Sequence, residues 1–476
     1  MKTSSLINAT RQYDSVTSNG AVTHSTSLSK CMDFFFIAGA SRSMDKGAII
    51  TSFLMARSES IELAYKILFW ARDCRGGAGE RRIFKIIGEY CKSRGKLSPI
   101  RKEWDALSSL IPTYGSWKDF FTICDPLDFH DLEMLAHHLL YEDDNLCAKW
   151  MPRKGPWFNE MMSLTEMSAK DLRKLIVGKT QVVETQMCNR EWDQIEYSKV
   201  PSVAMNQYRN AFGRRDAVRF AKFNEAVLKG DDKVNASVLF PHQLYQALQN
   251  RQDETAIEAQ WKSLPNYMEG SSERILPVCD VSASMNGLPM DVSVSLGVYI
   301  AERNEGAFRN AFMTFSKSPT MNVIQGETLA NKLYSIKRAH WGYNTDLVET
   351  FKHLLGSAVR ANVPADEMPT KILIISDMEF DQAVRGNTNL DAIRDLYSTY
   401  GYELPGIIFW NVEGRLGNVP AKADDANIGL VSGFSPAILT SILGGEDFSP
   451  LSLMMKAVDG ERYSGVTTVL GEEGCL

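Results

Sequence analysis

The sequence predicts a multidomain α and α/β protein: an α-helical repeat domain of solenoid type, then a doubly wound, largely parallel sheet. Three observations carry this. From about residue 31 to 250, apolar residues recur at helical spacing, as in Ser60-Ile-Glu-Leu-Ala-Tyr-Lys-Ile-Leu-Phe-Trp-Ala71. From Arg274 onward, short apolar runs alternate with helical patterns, as a parallel sheet covered by helices requires. Between them, residues 251 to 272 are polar and charged and end in Gly270-Ser-Ser, which reads as a join. The expected organisation is an extended N-terminal segment over 1–30, a helical domain over 31–265 and an α/β domain over 270–476.

Residues 1–30 are rich in Ser, Thr and Asn, with one turn signal at Asn19-Gly20, and fit a mobile or docked extended segment. An apolar pattern starts at Met32. The helix of residues 60–71 stops at Gly76-Gly77. Further helical blocks run over 80–90, 99–110, 131–141, 169–177, 203–212, 216–228 and 241–250. The spacing predicts strands over 274–279, 310–315, 320–324 (a hairpin partner), 371–376, 405–410 and 427–431. It predicts helices over 291–303, 327–338, 346–359, 390–400, 436–443 and 451–458.

The eight cysteines are scattered without Cys-x-x-Cys or a histidine cluster, which argues against zinc and for reduced thiols in a cytoplasm. The first residues have no apolar core like that of a signal peptide, and no apolar run is long enough to span a bilayer. Net charge is −6, but the halves differ: residues 1–250 carry +5 and residues 251–476 carry −11. A basic surface in the front half can hide behind that total.

The chemistry concentrates in Arg274-Ile-Leu-Pro-Val-Cys-Asp280-Val-Ser282-Ala-Ser284. A buried strand ends in Asp-x-Ser-x-Ser, at the end of an open sheet where ligands bind. Hydroxyls and carboxylates without Cys or His select a hard cation, Mg²⁺ or Mn²⁺. The alternative is a serine-rich turn that caps a helix. Two later stretches shift the balance: a loop, His340-Trp-Gly-Tyr-Asn-Thr345-Asp346, and a second apolar strand, Lys371 to Ser376, that runs into Asp377. With these the region resembles a von Willebrand factor A domain. The resemblance implies a metal-ion-dependent adhesion site with Ser282, Ser284 and Thr345 as direct ligands. Asp280 and Asp377 would bind in part through water, and a carboxylate from a protein partner would complete the set. His340, five residues before Thr345, is the one histidine that could act as a base there; a structural loop residue is the competing reading.

Four pieces of the helical half stand out: Arg72-Asp-Cys-Arg-Gly-Gly-Ala-Gly-Glu-Arg81, Tyr114-Gly-Ser-Trp-Lys-Asp119, Ala148-Lys-Trp-Met-Pro-Arg153 and Val200-Pro-Ser-Val-Ala204. The first lacks Gly-Lys-Ser/Thr and follows a helix, so it is no P-loop. It reads either as an interhelical turn or as a phosphate-binding edge. Together with the downstream site, these pieces resemble an uncharacterised family of plants, fungi and bacteriophages (domain of unknown function 2828) with a C-terminal von Willebrand A domain. The layout is also similar to the Ro autoantigen and other TROVE-module proteins, which implies a ring-like helical domain that binds RNA.

Basic residues cluster at Arg72/Arg75/Arg81/Arg82, Lys149/Arg153/Lys154 and Arg214/Arg215/Arg219, and could contact structured or single-stranded RNA through phosphates. Solvated helix faces and turns are the plain alternative. Tryptophans 70, 117, 150, 157 and 192 sit among basic residues and could stack bases or fill the core. His130, His137 and His138 read as surface residues of an acidic helix. Common hydrolase signatures are absent. The expected protein is a cytoplasmic, monomeric, non-enzymatic, Ro-like binding protein that meets no membrane. The alternatives are an assembly or scaffold factor whose A domain clamps an acidic partner without RNA, and a viral structural component.

Overall fold

A computed structural model describes residues 13–315, 319, 321–337, 345–383, 388–443 and 448–472. It has a helical N-terminal region and a C-terminal six-stranded mixed sheet with helices, as expected for a multidomain α and α/β protein.

Helix Lys30–Ala38 is capped by Ser29, whose side chain accepts from Met32 N. It buries Cys31, Met32 and Phe34 through Ala38, so it is apolar on nearly every side and needs a core around it. Helices Lys46–Glu59 and Ile61–Arg72 pack beside it, each started by an acceptor side chain, Asp45 and Ser60. The chain then winds through helices Arg81–Lys92, Pro99–Leu107 and Trp117–Ile123 to Pro241–Gln249. Residues 183 to 259 hold a smaller apolar cluster of their own, around Ile195, Tyr197, Phe212 and Phe220.

The segment expected to be a polar join is a buried helix instead. Glu254–Lys262, capped by Asp253, buries Ala256, Ile257, Glu258, Ala259, Gln260 and Trp261. Trp261 Nε1 donates to Glu302 at 2.8 Å, and Glu258 accepts from Leu329 N at 2.7 Å. Glu258 and the Trp261 indole thus find their partners on the sheet domain, so the segment's polar composition does not mark a linker.

In the sheet, β3 (Ile275–Cys279), β4 (Ala311–Thr314), β5 (Met321–Val323), β6 (Lys371–Ser376), β7 (Gly406–Asn411) and β8 (Ile428–Ser432) stand in the order β5-β4-β3-β6-β7-β8. All neighbours are parallel except β5, which pairs antiparallel with β4 as the expected hairpin partner. β3, β6, β7 and β8 are buried at every position, as two-sided strands should be. Pro277 fits this central strand because the β4 ladder begins at Val278, while β6 pairs along the whole of β3. The helix expected over 436–443 is a 3₁₀ turn, Pro436–Ile438, followed by Leu439–Ile442, and a last helix, Ser464–Glu472, was not anticipated.

The halves are stitched together. Ser432 Oγ donates to Phe35 O at 2.7 Å, and Asn411 Nδ2 donates to Phe36 O at 3.1 Å. A Cβ on Gly39 would lie 2.3 Å from Ser432 O, so only glycine lets the first helix meet β8 this closely. The N-terminal segment is docked: β1 (Ser15–Val16) and β2 (Val22–Thr23) form a small hairpin, and residues 13–27 run as a strap over the sheet domain, bridging at Gly20 to Asp381 and at His24 to Val419. No described helix is long and apolar enough to cross a membrane.

Candidate metal centre

β3 and β6 are adjacent, and their carboxyl ends place Asp280 and Asp377 side by side. Asp280 continues the β3 ladder, its N–H donating to Ile375 O at 3.0 Å. Its carboxylate is fixed by Ser376 Oγ at 2.6 Å and Ser282 N at 2.9 Å. The chain then turns through Ala283–Met285, a 3₁₀ turn, which brings Ser282 Oγ within 3.1 Å of Ser284 Oγ. Ser284 in turn donates to Asp377. Asp280, Ser282, Ser284 and Asp377 therefore converge as expected. Thr345 is held at the β6 exit, where its hydroxyl donates to Glu379 O at 2.8 Å and lies 3.2 Å from Asp381 Oδ1; among the described residues no hydrogen bond joins it to the other four. His340 lies outside the described residues.

Both aspartates are almost wholly buried. Burial pushes the Asp280 carboxyl up to about 6, and the charge of Asp377 adds to the effect. Burial also raises Asp377, against the hydrogen bond from Ser284. Sequence reasoning missed Glu379, also buried, and Arg415, whose guanidinium lies 3.2 Å from Asp377 Oδ2 and 3.1 Å from Glu379 Oε1. Glu379 could have been found as the second carboxylate after β6; Arg415 has no motif around it. The chain leaves β6 through Met378, whose φ of 65° lies in the left-handed region, and Asn418 Nδ2 holds its carbonyl at 2.9 Å.

Among the described residues no three His, Cys, Asp or Glu side chains form a metal-ligand cluster. The expected set is of another kind, with two carboxylates and three hydroxyls. It fits a hard cation: all donors are oxygen, and the buried carboxylates crowd each other's charge.

The helical motifs are spent largely on structure. Arg72 is a correction to the expected basic surface: it is buried, and its Nε and Nη2 donate to Asp119 Oδ2 at 3.0 and 2.5 Å. Asp73, fully buried, accepts from Arg462 Nε and Tyr463 OH, and Tyr114 OH donates to Arg462 O at 2.7 Å. The glycine-rich turn is therefore a clasp on the chain's last helical segment. Arg75 and Arg82 donate to carbonyls of Thr113 and Ser41, and Arg81 stands 3.6 Å from Asp119. Lys149 pairs with Glu184, Arg153 donates to Met151 O, and Arg219 is held by Asp216, Trp192 O and Ile195 O. Lys154, Arg214 and Arg215 are exposed. Trp70, Trp117 and Trp157 are core, whereas Trp150 is 40% exposed, with Lys118 and Lys149 Nζ at 5.3 and 5.8 Å from its ring. His130 and His137 are exposed; His138 packs edge-on against Trp117.

Residues 161–273 match a family model described as a domain of unknown function (DUF2828), and residues 274–465 match a second, also described as a domain of unknown function (DUF7788). The border between them falls one residue before β3. The chain is similar to an uncharacterized protein, L728, of Acanthamoeba polyphaga mimivirus, at 27% identity over 503 residues that cover 94% of this chain and 87% of the relative.

Proposed function

We propose that the C-terminal half is a von Willebrand A-type domain whose metal-ion-dependent site holds Mg²⁺ or Mn²⁺ and captures a carboxylate of a protein partner. The observation that carries this reading is the convergence of Asp280, Ser282, Ser284 and Asp377 at the carboxyl ends of two adjacent central strands. The strand order, with five parallel strands and one antiparallel edge, supports it. Ser282, Ser284 and Thr345 would hold the ion directly, and Asp280 and Asp377 would hold it in part through water. The ion supplies a hard positive charge with a coordination place left for an incoming carboxylate. Ser376 and the Ser282 N–H orient Asp280, and Asp381 positions Thr345 through its N–H at 3.0 Å. The neutral hydroxyl donors suit binding rather than hydrolysis, which is built on histidines and carboxylates around an activated water. Calorimetry with MnCl₂ tests the reading: the wild type gives a binding isotherm, and Asp280→Asn, folded by circular dichroism, gives none. A flat wild-type titration overturns it.

A second reading concerns the helical half, which we propose to contact RNA. Trp150 favours it: an exposed indole between two lysines is a base-stacking platform beside phosphate-binding charge. Arg153, Lys154 and Arg215 would add phosphate contacts, whereas Arg72 is committed to Asp119. Filter binding of single-stranded and structured RNA should weaken steeply with salt and fall in Trp150→Ala and in Arg153→Glu/Arg215→Glu, with Asp280→Asn unaffected. Absence of binding at low salt returns the helical half to the scaffold role of an assembly factor.

A further inference from the structure

Glu379 gathers contacts that ion binding does not require. Its Oε2 accepts from Ser18 N at 2.6 Å and from Ser18 Oγ. Its Oε1 faces Arg415 Nη1 at 3.1 Å and Asn418 Nδ2 at 3.3 Å. Its carbonyl accepts from Asn19 Nδ2 at 2.7 Å and from Thr345 Oγ1 at 2.8 Å. Two of these donors also touch atoms of the cation site: Arg415 Nη2 lies 3.2 Å from Asp377 Oδ2, and Asn19 Nδ2 lies 3.4 Å from Thr345 Oγ1.

The strap and the Arg415 loop hold each other. Ser15 Oγ donates to Gly417 O at 2.6 Å, and Thr23 Oγ1 donates to Val419 O at 2.8 Å. His24 and Val419 exchange backbone hydrogen bonds at 3.1 and 2.9 Å. On the β6 side, Thr17 Oγ1 donates to Phe380 O at 2.7 Å and Gln382 N to Asn19 O at 3.3 Å. The strap thus spans from the end of β6 to the loop after β7, and Glu379 is the point where Arg415 and Ser18-Asn19 meet.

Resting on the cation reading above, we propose that Arg415 and Asn19, fastened through Glu379, form a latch that competes with the divalent cation for Asp377 and Thr345, so that cation binding loosens the N-terminal strap. A guanidinium and a divalent cation draw on the same carboxylate, and once the ion is held their like charges repel. Coupling is reciprocal: the factor by which the closed latch weakens the ion is the factor by which the bound ion weakens the latch. Arg415 is a positioning residue here, with its side chain 39% exposed and free to swing into solvent on release.

The test uses the full chain. MnCl₂ is titrated by calorimetry into the wild type, Arg415→Gln and Asn19→Ala, each checked for folding by circular dichroism. Hydrogen exchange is followed at the strap amides of Ala21 and His24, which are held by Thr17 Oγ1 and Val419 O. The expected result is Mn²⁺ affinity raised by about tenfold in Arg415→Gln, the scale of one charge-assisted hydrogen bond at a part-exposed site. Asn19→Ala should shift it in the same direction, and strap exchange in the wild type should quicken on Mn²⁺ saturation. Arg415→Lys, which keeps the charge but loses the fork, should also bind more tightly, and it decides the matter if Arg415→Gln fails to fold. Equal or weaker affinity in the Arg415 variant, or strap exchange that ignores Mn²⁺, overturns the latch while leaving the cation site standing. Flat titrations in all variants overturn the cation reading, and the latch with it.

Discussion

His242 makes the junction between the halves sensitive to acid. It follows Phe240 and Pro241 at the start of helix Pro241–Gln249, is almost fully buried, and packs edge-on against Phe434 at 5.5 Å. Arg42 lies over the other ring in the stack, 4.2 Å from the Phe434 centroid, and pairs with Glu80 at 2.6 Å. Burial, with the Arg42 charge adding to it, drives His242 down to about 3 from its ordinary 6.5. Above pH 6.5 the ring is neutral folded and unfolded, and pH costs nothing. As pH falls below that value the unfolded chain takes up a proton that the native state refuses, so stability drops until the folded value is reached. At about 1.4 kcal/mol per pH unit, the loss is about 2 kcal/mol by pH 5. His242→Leu keeps the volume and removes the proton site. Urea unfolding followed by tryptophan fluorescence, at about pH 7 and about pH 5, should show the wild type losing about 2 kcal/mol more than His242→Leu over this interval. Parallel losses in the two proteins would refute the reasoning.

Substitutions at two positions test the helical half. Gly77→Ala puts a Cβ 1.9 Å from Trp70 O, a backbone atom that cannot step aside, so thermal unfolding should show a loss of about 2–3 kcal/mol, or no soluble protein. Glu103 is buried, with Arg57 Nε at 2.8 Å and Tyr65 OH at 3.0 Å; Glu103→Ala leaves both without their acceptor and should cost about 3 kcal/mol in urea melts, whereas Glu103→Gln recovers part of it.

The sheet was legible because its strands are written plainly. Ile275–Cys279, Lys371–Ser376 and Gly406–Asn411 are apolar runs of strand length, buried on both faces, and each helix between them has its own period. The Asp-x-Ser-x-Ser turn was legible as well, since its position follows from the strand it ends. What escaped depends on distant partners. Glu254–Lys262 carries polar groups, Glu258 and the Trp261 indole, whose partners stand on other elements, so locally it looks like a linker. Arg415 gains meaning from Asp377, 38 residues away, and Asp73 from Arg462, 389 residues away. The Arg-Asp-x-Arg-Gly-Gly turn reads equally as an interhelical turn or an anion site until the segment that it clasps is known.

The first helix carries a cost that arises during synthesis. Lys30–Ala38 is apolar almost all round, and the strand it lies against, Ile428–Ser432, is made some 390 residues later. At the usual pace of a ribosome this interval is about 20–80 s, during which Phe34, Phe35 and Phe36 have no finished core to enter. Helices Lys46–Glu59 and Ile61–Arg72 emerge soon after and can shelter one side of it. The side meant for β8 stays open until residues 428–432 are made, so a nascent protein stalled or truncated before residue 428 would present an uncovered apolar face, a natural target for chaperone capture.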